Sequence, residues 1–175
     1  MRVSRCQNKF QVVHSVISIF REGLHHVAPG AGPCRRTVWR KCTAIASSDI
    51  ASGMNIVLAS TSRYRRELLN RLQLPFAVVN PGVEETALAG ELPEAMAARL
   101  ATAKALAVVS IHPDAIIIGC DQVAVSGGKI LGKPGNHQNA VRQLRELSGR
   151  DAVFYTAICV HSGTSGKTAT RVVLY

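Results

Sequence analysis

The sequence predicts an α/β fold for residues 54–175, because two kinds of segment alternate along that stretch. Short apolar runs, typical of buried strands, are followed by segments with apolar side chains at helical spacing. Turn-forming residues such as Gly, Pro, Asn and Ser separate them. The whole chain has 175 residues and is 47% hydrophobic, which suffices for one domain with a substantial core.

The first half of this stretch predicts two strands and two helices. The apolar run 55–59 predicts a strand, and the cationic segment 63–73 predicts a helix directly after it. A second apolar run, 76–79, ends at an Asn-Pro-Gly turn. The next helix is expected to begin at Pro93 and to end before the His-Pro pair at 112–113. Its apolar positions at helical spacing are Leu92, Met96, Leu100, Ala103 and Ala107.

The second half predicts strands joined by turns, with one more helix. Residues 115–119 predict a buried strand, and residues 122–131 predict a hairpin. Two further strands are expected at 153–160 and 168–174. Asn136 is expected to cap the helix that precedes them. The apolar face of that helix consists of Val141, Leu144 and Leu147.

Residues 1–53 differ from the rest in charge and pattern. They carry eight Lys/Arg against two acidic residues and show no sustained periodicity. Three interpretations are open: a start codon assigned too far upstream, with Met54 as the true first residue, which we favour; an organelle transit peptide; or a functional basic arm. The net charge of +10 lies mostly there, and no basic-aromatic interleaving accompanies it, so we expect no nucleic-acid partner.

Cysteine usage and hydropathy indicate the compartment. The five cysteines form no CxxC pair, which favours a reducing environment and hence the cytoplasm. The longest apolar stretch, near 12–20, is interrupted by polar residues and is too short to span a bilayer, so no membrane association is expected. The six histidines form no HExxH motif and no tight cluster, which makes a zinc site unlikely.

The turn after the first predicted strand suits a polyphosphate. Three hydroxyl residues, 60–62, stand between strand and helix, where free backbone N–H groups and the positive helix end face one spot. Arg63, Arg65 and Arg66 add fixed positive charge directly after them. A plain N-capped helix with a solvated basic face fits the same residues about as well.

Several other charged residues suit a phosphate substrate. Asp121 follows the strand predicted at 115–119, where α/β proteins place ligand-binding groups. It could orient a water as general base or bind a divalent metal, and a carboxylate that caps backbone amides is an equal alternative. Glu84 and Glu85 become metal ligands if the fold brings them near Asp121, and otherwise they are solvated. Lys133 precedes a proline-fixed turn that would aim its ammonium, although most single lysines are surface residues.

The helix predicted from Pro93 carries two cations, Arg99 and Lys104. A separation of five residues puts them about 140° apart around the helix axis. Both side chains can therefore flank one cleft, but they cannot stack on each other.

Six short motifs follow one another along the chain. They are Leu58-Ala59-Ser60-Thr61-Ser62-Arg63-Tyr64-Arg65-Arg66, Val83-Glu84-Glu85-Thr86, Arg99-Leu100-Ala101 with Lys104-Ala105, Ile118-Gly119-Cys120-Asp121-Gln122-Val123, Gly132-Lys133-Pro134, and Leu147-Ser148-Gly149 with Tyr155-Thr156. In this order they resemble the Maf family of nucleoside triphosphate pyrophosphatases. The resemblance extends from residue 54 to about residue 174.

The resemblance implies a fold, a reaction and a set of site residues. Family members have a mixed α/β sheet flanked by helices, of the inosine triphosphatase-like kind, and are often homodimers. With a divalent metal, Mg or Mn, they hydrolyse a nucleotide between its α and β phosphates. By resemblance, Asp121 is the proton acceptor and shares a metal with Glu85, while Lys104 and Lys133 act in catalysis. The substrate-binding residues implied are Ser60, Tyr64, Arg65, Arg66 and Gln122.

Two positions indicate the branch of the family. Enzymes that resemble the dTTP/UTP branch have Arg after Ser-Pro and Thr after the catalytic Asp. This chain has Tyr64 and Gln122, which resembles the branch acting on 7-methyl-GTP. An aromatic face favours the positively charged methylated guanine. The side-chain amide of Gln122 can donate hydrogen bonds to a base edge and accept them from it. The alternative for Tyr64 is that it packs the helix onto the sheet.

The chain departs from the family pattern in two ways. Arg63 stands where the family usually has Pro, which changes the turn more than the chemistry. Family members also continue well beyond Tyr175, so we expect a domain that is incomplete at its C-terminus, with 54–175 as its N-terminal two thirds. The alternatives to a 7-methyl-GTP pyrophosphatase are a dTTP/UTP-type enzyme and an inactive truncated remnant that only binds nucleotide.

Overall fold

The structure is a computed structural model that describes residues 55–175. The interpretations of residues 1–53 lie outside the described residues. No helix within 55–175 combines the length and apolar character needed to cross a membrane. The elements follow in the order β1 (Ile56–Ala59), α1 (Arg63–Asn70), β2 (Ala77–Val79), α2 (Pro93–Leu106), β3 (Ile116–Ser126), β4 (Lys129–Leu131), α3 (His137–Glu146), β5 (Val153–Ser162) and β6 (Thr168–Leu174).

The described strands form one mixed sheet. Its order is β2-β1-β3-β5-β6, and β4 pairs with β3 beside this path. β1 runs parallel to β2 and β3, whereas β3 is antiparallel to β4 and β5, and β5 is antiparallel to β6. The prediction of a mixed sheet flanked by helices is therefore confirmed.

The strands bury side chains on both faces of the sheet, because successive residues point to opposite sides. On one face Val57 and Ile117 join a core cluster with residues of α2, among them Leu100. On the other face Leu58 and Ile118 cluster with Leu69 of α1. Each face thus has its own helix, and the end of β1 lies between the two layers.

β3 is longer than the sequence predicted. We expected a strand at 115–119 and a separate hairpin at 122–131, with Asp121 between them. β3 instead continues to Ser126, because β5 pairs with it along nearly its whole length. The parallel pairing with β1 stops at Gly119. Asp121 therefore lies within a strand, just beyond the end of the parallel pairing, and the placement after the strand is corrected.

α2 lies very close to the sheet because small residues meet there. Ala97, Ala101 and Ala105 of the helix are fully buried. A Cβ built on Gly119 would lie 2.1 Å from the carbonyl oxygen of Ala101 and 2.7 Å from the amide nitrogen of Ala105. These are backbone atoms of the helix, so any side chain at this position would push α2 away from β3.

The buried face of α2 differs from the predicted one. Met96 and Leu100 are buried as expected, but Leu92 is exposed because it occupies the N-cap position before the helix. Ala107, which follows the last helical residue, is exposed as well. Lys104, which the apolar pattern left out, is buried among the small residues of this face.

α3 begins as predicted but buries little. The Asn136 side chain accepts a hydrogen bond from the Asn139 amide at 2.9 Å, so the predicted cap is confirmed. None of the residues of α3 is buried, and Leu144 is 69% exposed. Of the apolar face predicted for this helix, Leu144 is exposed, and Val141 and Leu147 are half-buried.

Replacing Gly119 by Ala should destabilise the fold strongly. The added methyl group would collide with the α2 backbone, and we expect the free energy of unfolding to fall by about 3 kcal/mol, as in severe overpacking. Urea denaturation of the full chain measures this. Gly132→Ala is the matched control, because nothing lies within 4 Å of a Cβ there. Equal stability of the two variants would contradict the close packing of α2 on β3.

Candidate active site

A cleft with a volume of about 500 Å³ opens where β1 ends. It is lined by the turn after β1, the first turn of α1, the loop after β2, and parts of β3 and β5. Most of the residues that the sequence singled out line it, namely Ser60, Tyr64, Arg65, Glu85, Lys104, Gln122 and Lys133. Arg66 is exposed, and neither it nor Asp121, which is buried, belongs to the lining.

The turn after β1 is organised by its own hydroxyl groups. The Ser60 hydroxyl accepts a hydrogen bond from the Ser62 amide at 3.2 Å. The Ser62 hydroxyl accepts one from the Arg65 amide at 3.4 Å and caps α1. The capping interpretation is therefore correct, and the same turn also faces the cleft. The two interpretations are compatible, because capping fixes the helix end that a phosphate would meet.

Lys104 connects the two carboxylates predicted to act together. Its ammonium lies 2.6 Å from Glu85 Oε1 and 2.6 Å from Asp121 Oδ1. The Lys104 side chain is only 6% exposed, so this charge is paired inside the protein. On the outer side, Glu85 Oε2 lies 2.5 Å from the ammonium of Lys133, which is 86% exposed. Asp121, Lys104, Glu85 and Lys133 thus form one chain of ion pairs.

Asp121 reaches the cleft only indirectly in this arrangement. Cys120 and Gln122 line the cleft, and strand alternation turns Asp121 to the opposite face, toward α2. Lys104 contacts Asp121 and also lines the cleft. The predicted proximity of Glu85 and Asp121 is thus achieved through a shared lysine.

Glu85 and Cys120 have clearly shifted pKa values. The hydrogen bond from Lys104, followed by that from Lys133, lowers the pKa of Glu85 from its ordinary value of 4.5 to about 2. Glu85 is therefore ionised at neutral pH. Burial raises the pKa of the Cys120 thiol to about 11, so this cysteine is a neutral thiol in the cleft wall. A neutral, buried thiol of this kind packs as a small apolar side chain.

The carboxylates of Glu85 and Asp121 have the chemistry that a divalent metal requires. Carboxylate oxygens are the preferred ligands of Mg²⁺, which is usually held by one or two of them together with substrate phosphates. Within residues 55–175 no group of three His, Cys, Asp or Glu side chains could hold a metal alone. The pair therefore fits a metal that substrate oxygens help to bind, and not a metal site enclosed by protein ligands.

The lining of the cleft also includes the two residues expected to recognise a base, Tyr64 and Gln122. Tyr64 is 53% exposed and lines the cleft, so it does not serve mainly to pack α1 onto the sheet. Gln122 is also exposed, and its Nε2 donates a hydrogen bond to Thr156 Oγ1 at 2.7 Å. Thr156 faces Gln122 across the β3–β5 pairing.

Asn80 and Thr156 also line the cleft, and neither was assigned a site role from the sequence. Asn80 was interpreted only as part of a turn, and its Oδ1 does accept from the Gly82 amide at 3.1 Å. Thr156 belonged to a recognised motif but had no role. The Asn-Pro-Gly turn follows the second strand directly, and this position could have identified Asn80 as a site residue. Nothing local could have found Thr156, because its pairing with Gln122 joins residues 34 positions apart.

Replacing Lys104 by Met should cost much more stability than the same change at Lys133. The first substitution leaves the buried Asp121 carboxylate without its cation, which typically costs about 3–5 kcal/mol. The second removes an exposed pair, worth less than about 1 kcal/mol. Urea denaturation of both variants at neutral pH measures the difference. If Lys104→Met costs no more than Lys133→Met, the buried ion pair does not exist in solution.

The Glu85 ion pairs should add a pH dependence to stability. The pKa of Glu85 is about 2 in the folded protein and 4.5 when unperturbed, so the unfolded chain binds more protons between these values. The stabilisation of the folded protein by ionised Glu85 is therefore complete above about pH 4.5 and is lost as the pH falls toward 2. Because Glu85 is partly exposed, we expect an effect on the order of 1 kcal/mol.

The measurement is the free energy of unfolding as a function of pH, for Glu85→Gln and the parent chain. The parent should lose stability more steeply as the pH falls below 4.5. Glu84→Gln is the matched control, since its exposed carboxylate accepts a hydrogen bond from Thr86 and not from a lysine. Parallel curves for the parent and Glu85→Gln would contradict the prediction.

Several bacterial proteins are similar to this chain. The 7-methyl-GTP pyrophosphatase of Nitrosospira multiformis is 53% identical over 118 residues, which cover 67% of this chain and 60% of that protein. The protein of the same name from Methylobacillus flagellatus is 52% identical over 120 residues, covering 69% and 62%. That from Bordetella pertussis is 50% identical over 119 residues, covering 68% and 60%. The chain thus spans about 60% of the length of these relatives.

A solved structure, that of the Staphylococcus aureus Ham1 protein, has a TM-score of 0.45 to this one and 18% identity, covering 69% of this chain and 70% of that one. That likeness is too weak to carry an argument. The family match is much more specific, since residues 55–174 match the family described as Maf-like protein. This chain therefore belongs to the Maf family.

Proposed function

We propose that this protein is a nucleotide pyrophosphatase that hydrolyses 7-methyl-GTP between its α and β phosphates, giving the monophosphate and pyrophosphate. One observation carries the proposal: proteins named 7-methyl-GTP pyrophosphatase are 50% to 53% identical over the stretch that builds the cleft. The charged and hydrogen-bonding groups in the cleft supply what the substrate needs at each of its two ends.

In the proposed complex the phosphates lie against the turn at 60–62. Backbone N–H groups at the start of α1 and the guanidinium of Arg65 favour anionic oxygens there. Lys133 is exposed, so its ion pair with Glu85 is weak enough to be exchanged for a phosphate. Ser60 remains able to donate its hydroxyl proton, because in the turn it acts as an acceptor.

The proposal includes a divalent cation, Mg or Mn, held by oxygens of Glu85 and Asp121. When bound, such a metal neutralises charge on the phosphate oxygens. The Lys104 ammonium lies 2.6 Å from each of the two carboxylates, and its positive charge offsets their mutual repulsion. The two carboxylates are thereby held close together in the free protein, and a bound metal would replace a lysine ammonium on at least one of their oxygens.

We assign the role of proton acceptor to Asp121. Lys104 binds Oδ1 and thereby fixes the orientation of the carboxylate, which leaves Oδ2 to accept a proton from the attacking water. The water oxygen bonds to the α-phosphorus. The bond from that phosphorus to the oxygen bridging the α and β phosphates breaks, and pyrophosphate leaves. Asp121 does not line the cleft in the free protein, so this step requires its carboxylate to shift toward the water while Lys104 stays bonded to Oδ1.

The base end of the proposed complex involves Tyr64 and Gln122. A ring that is methylated at N7 carries positive charge, and an exposed tyrosine face attracts such a ring. Gln122 is held through Nε2 by Thr156, which leaves its Oε1 as an acceptor for donors on the base edge. We further propose a cytoplasmic location, since the described cysteines, Cys120 and Cys159, are free and buried.

Pyrophosphate release across a nucleotide panel tests the proposal. The full chain is assayed with Mg²⁺ or Mn²⁺ on 7-methyl-GTP, GTP, dTTP and UTP, and we expect the highest kcat/KM for 7-methyl-GTP. Asp121→Asn should lower kcat at least about a hundredfold, as expected for the loss of a general base. Asp114→Asn, at an exposed position outside the cleft, is the matched control.

Each outcome of this assay is decisive for one part of the proposal. Activity on dTTP and UTP but not on 7-methyl-GTP would favour the other branch of the family. Undiminished turnover by Asp121→Asn would remove this residue from the reaction. Nucleotide binding without any pyrophosphate release would support the inactive alternative.

A further inference from the structure

Glu85 stands on a segment without helix or strand, between the end of β2 at Val79 and the start of α2 at Pro93. Segments of this kind are usually mobile, because few backbone groups are tied down. Glu85 nevertheless has to keep its two oxygens between Lys104 and Lys133. Something other than secondary structure must therefore hold this loop.

The guanidinium of Arg99 provides such an anchor. Its Nε donates to Glu91 Oε1 at 2.6 Å, and its Nη2 donates to Glu91 Oε2 at 2.7 Å. The same Nη2 also donates to the carbonyl oxygen of Thr86 at 3.1 Å. Glu91 Oε2 in turn accepts from the Leu88 amide at 3.2 Å. One side chain of α2 thus connects both ends of the segment 86–91.

The anchor acts directly beside Glu85. Arg99 holds the backbone of Thr86, while Lys104 holds the side chain of Glu85, its neighbour in sequence. The two cations stand about 140° apart around α2, so they approach the loop from different sides of the helix. Two-point attachment of this kind fixes position and also orientation.

We propose that Arg99 is a positioning residue, which clamps the loop 80–92 to α2 so that Glu85 stays between Lys104 and Lys133. The clamp depends on the planar fork of the guanidinium, which bonds both carboxylate oxygens of Glu91 and the Thr86 carbonyl together. A lysine keeps the charge but has no such fork. The catalytic consequence rests on the proposed function; the clamp itself does not.

Limited proteolysis of the full chain with a glutamate-specific protease tests the clamp without any substrate. In Arg99→Lys, cleavage after Glu84 and Glu85 should accelerate about tenfold, the effect of losing a charge-assisted hydrogen bond. Cleavage after Glu146, in α3, serves as the internal reference and should not change. Arg142→Lys is the matched control, because Arg142 donates to Asn139 on the exposed surface of α3.

Loop cleavage at the parental rate in Arg99→Lys would overturn the proposal, as would equal acceleration after Glu146, which indicates general unfolding. Glu91→Gln provides a second variant that weakens the clamp from the other side and should accelerate the same cleavages. If the parent chain releases pyrophosphate, Arg99→Lys should lower kcat about tenfold with a smaller change in KM. A parent chain without activity would contradict the proposed function, and the proteolysis would still decide on the clamp.

Discussion

The site depends on the ion pairs that the buried ammonium of Lys104 forms with Glu85 and Asp121. A charge removed from water is tolerated only when partners compensate for the lost hydration, and Glu85 and Asp121 do so at 2.6 Å each. This requirement fixes three segments relative to one another: α2, the loop after β2, and β3. It also depends on Gly119, because only a residue without a side chain lets α2 approach β3 closely enough.

The charges of the site balance before any substrate binds. Lys104 and Lys133 carry two positive charges, and Glu85 and Asp121 carry two negative charges. A triphosphate would add several negative charges to a set that is already neutral. Arg65 in the cleft can supply part of the compensation, and in the proposed complex a divalent cation on the carboxylates would supply the rest. The charge balance therefore supports the proposed metal independently of the resemblance.

Local signals predicted the elements well, and long-range pairing explains what they missed. Capping by Asn136 and the strand, turn and helix at 56–70 depend on neighbours in sequence, so the sequence sufficed for them. Asp121 was misplaced because the strand that extends β3 past it lies far downstream, in β5. The burial of Lys104 escaped prediction for the same reason: its partners are 19 and 17 positions away. Which charged residue of α2 turns inward is decided by those carboxylates.

In the proposed complex, the residues at the phosphate end and those at the base end are held by interactions of different strength. At the phosphate end, Lys104 is held by a buried ion pair to Asp121, so replacing it disturbs the packing of α2. At the base end, Tyr64 is exposed and Gln122 is held by a single neutral hydrogen bond to Thr156. Losing such a bond at the surface costs little stability. If these two residues meet the base as proposed, substitutions there should alter the choice of nucleotide and leave the fold intact.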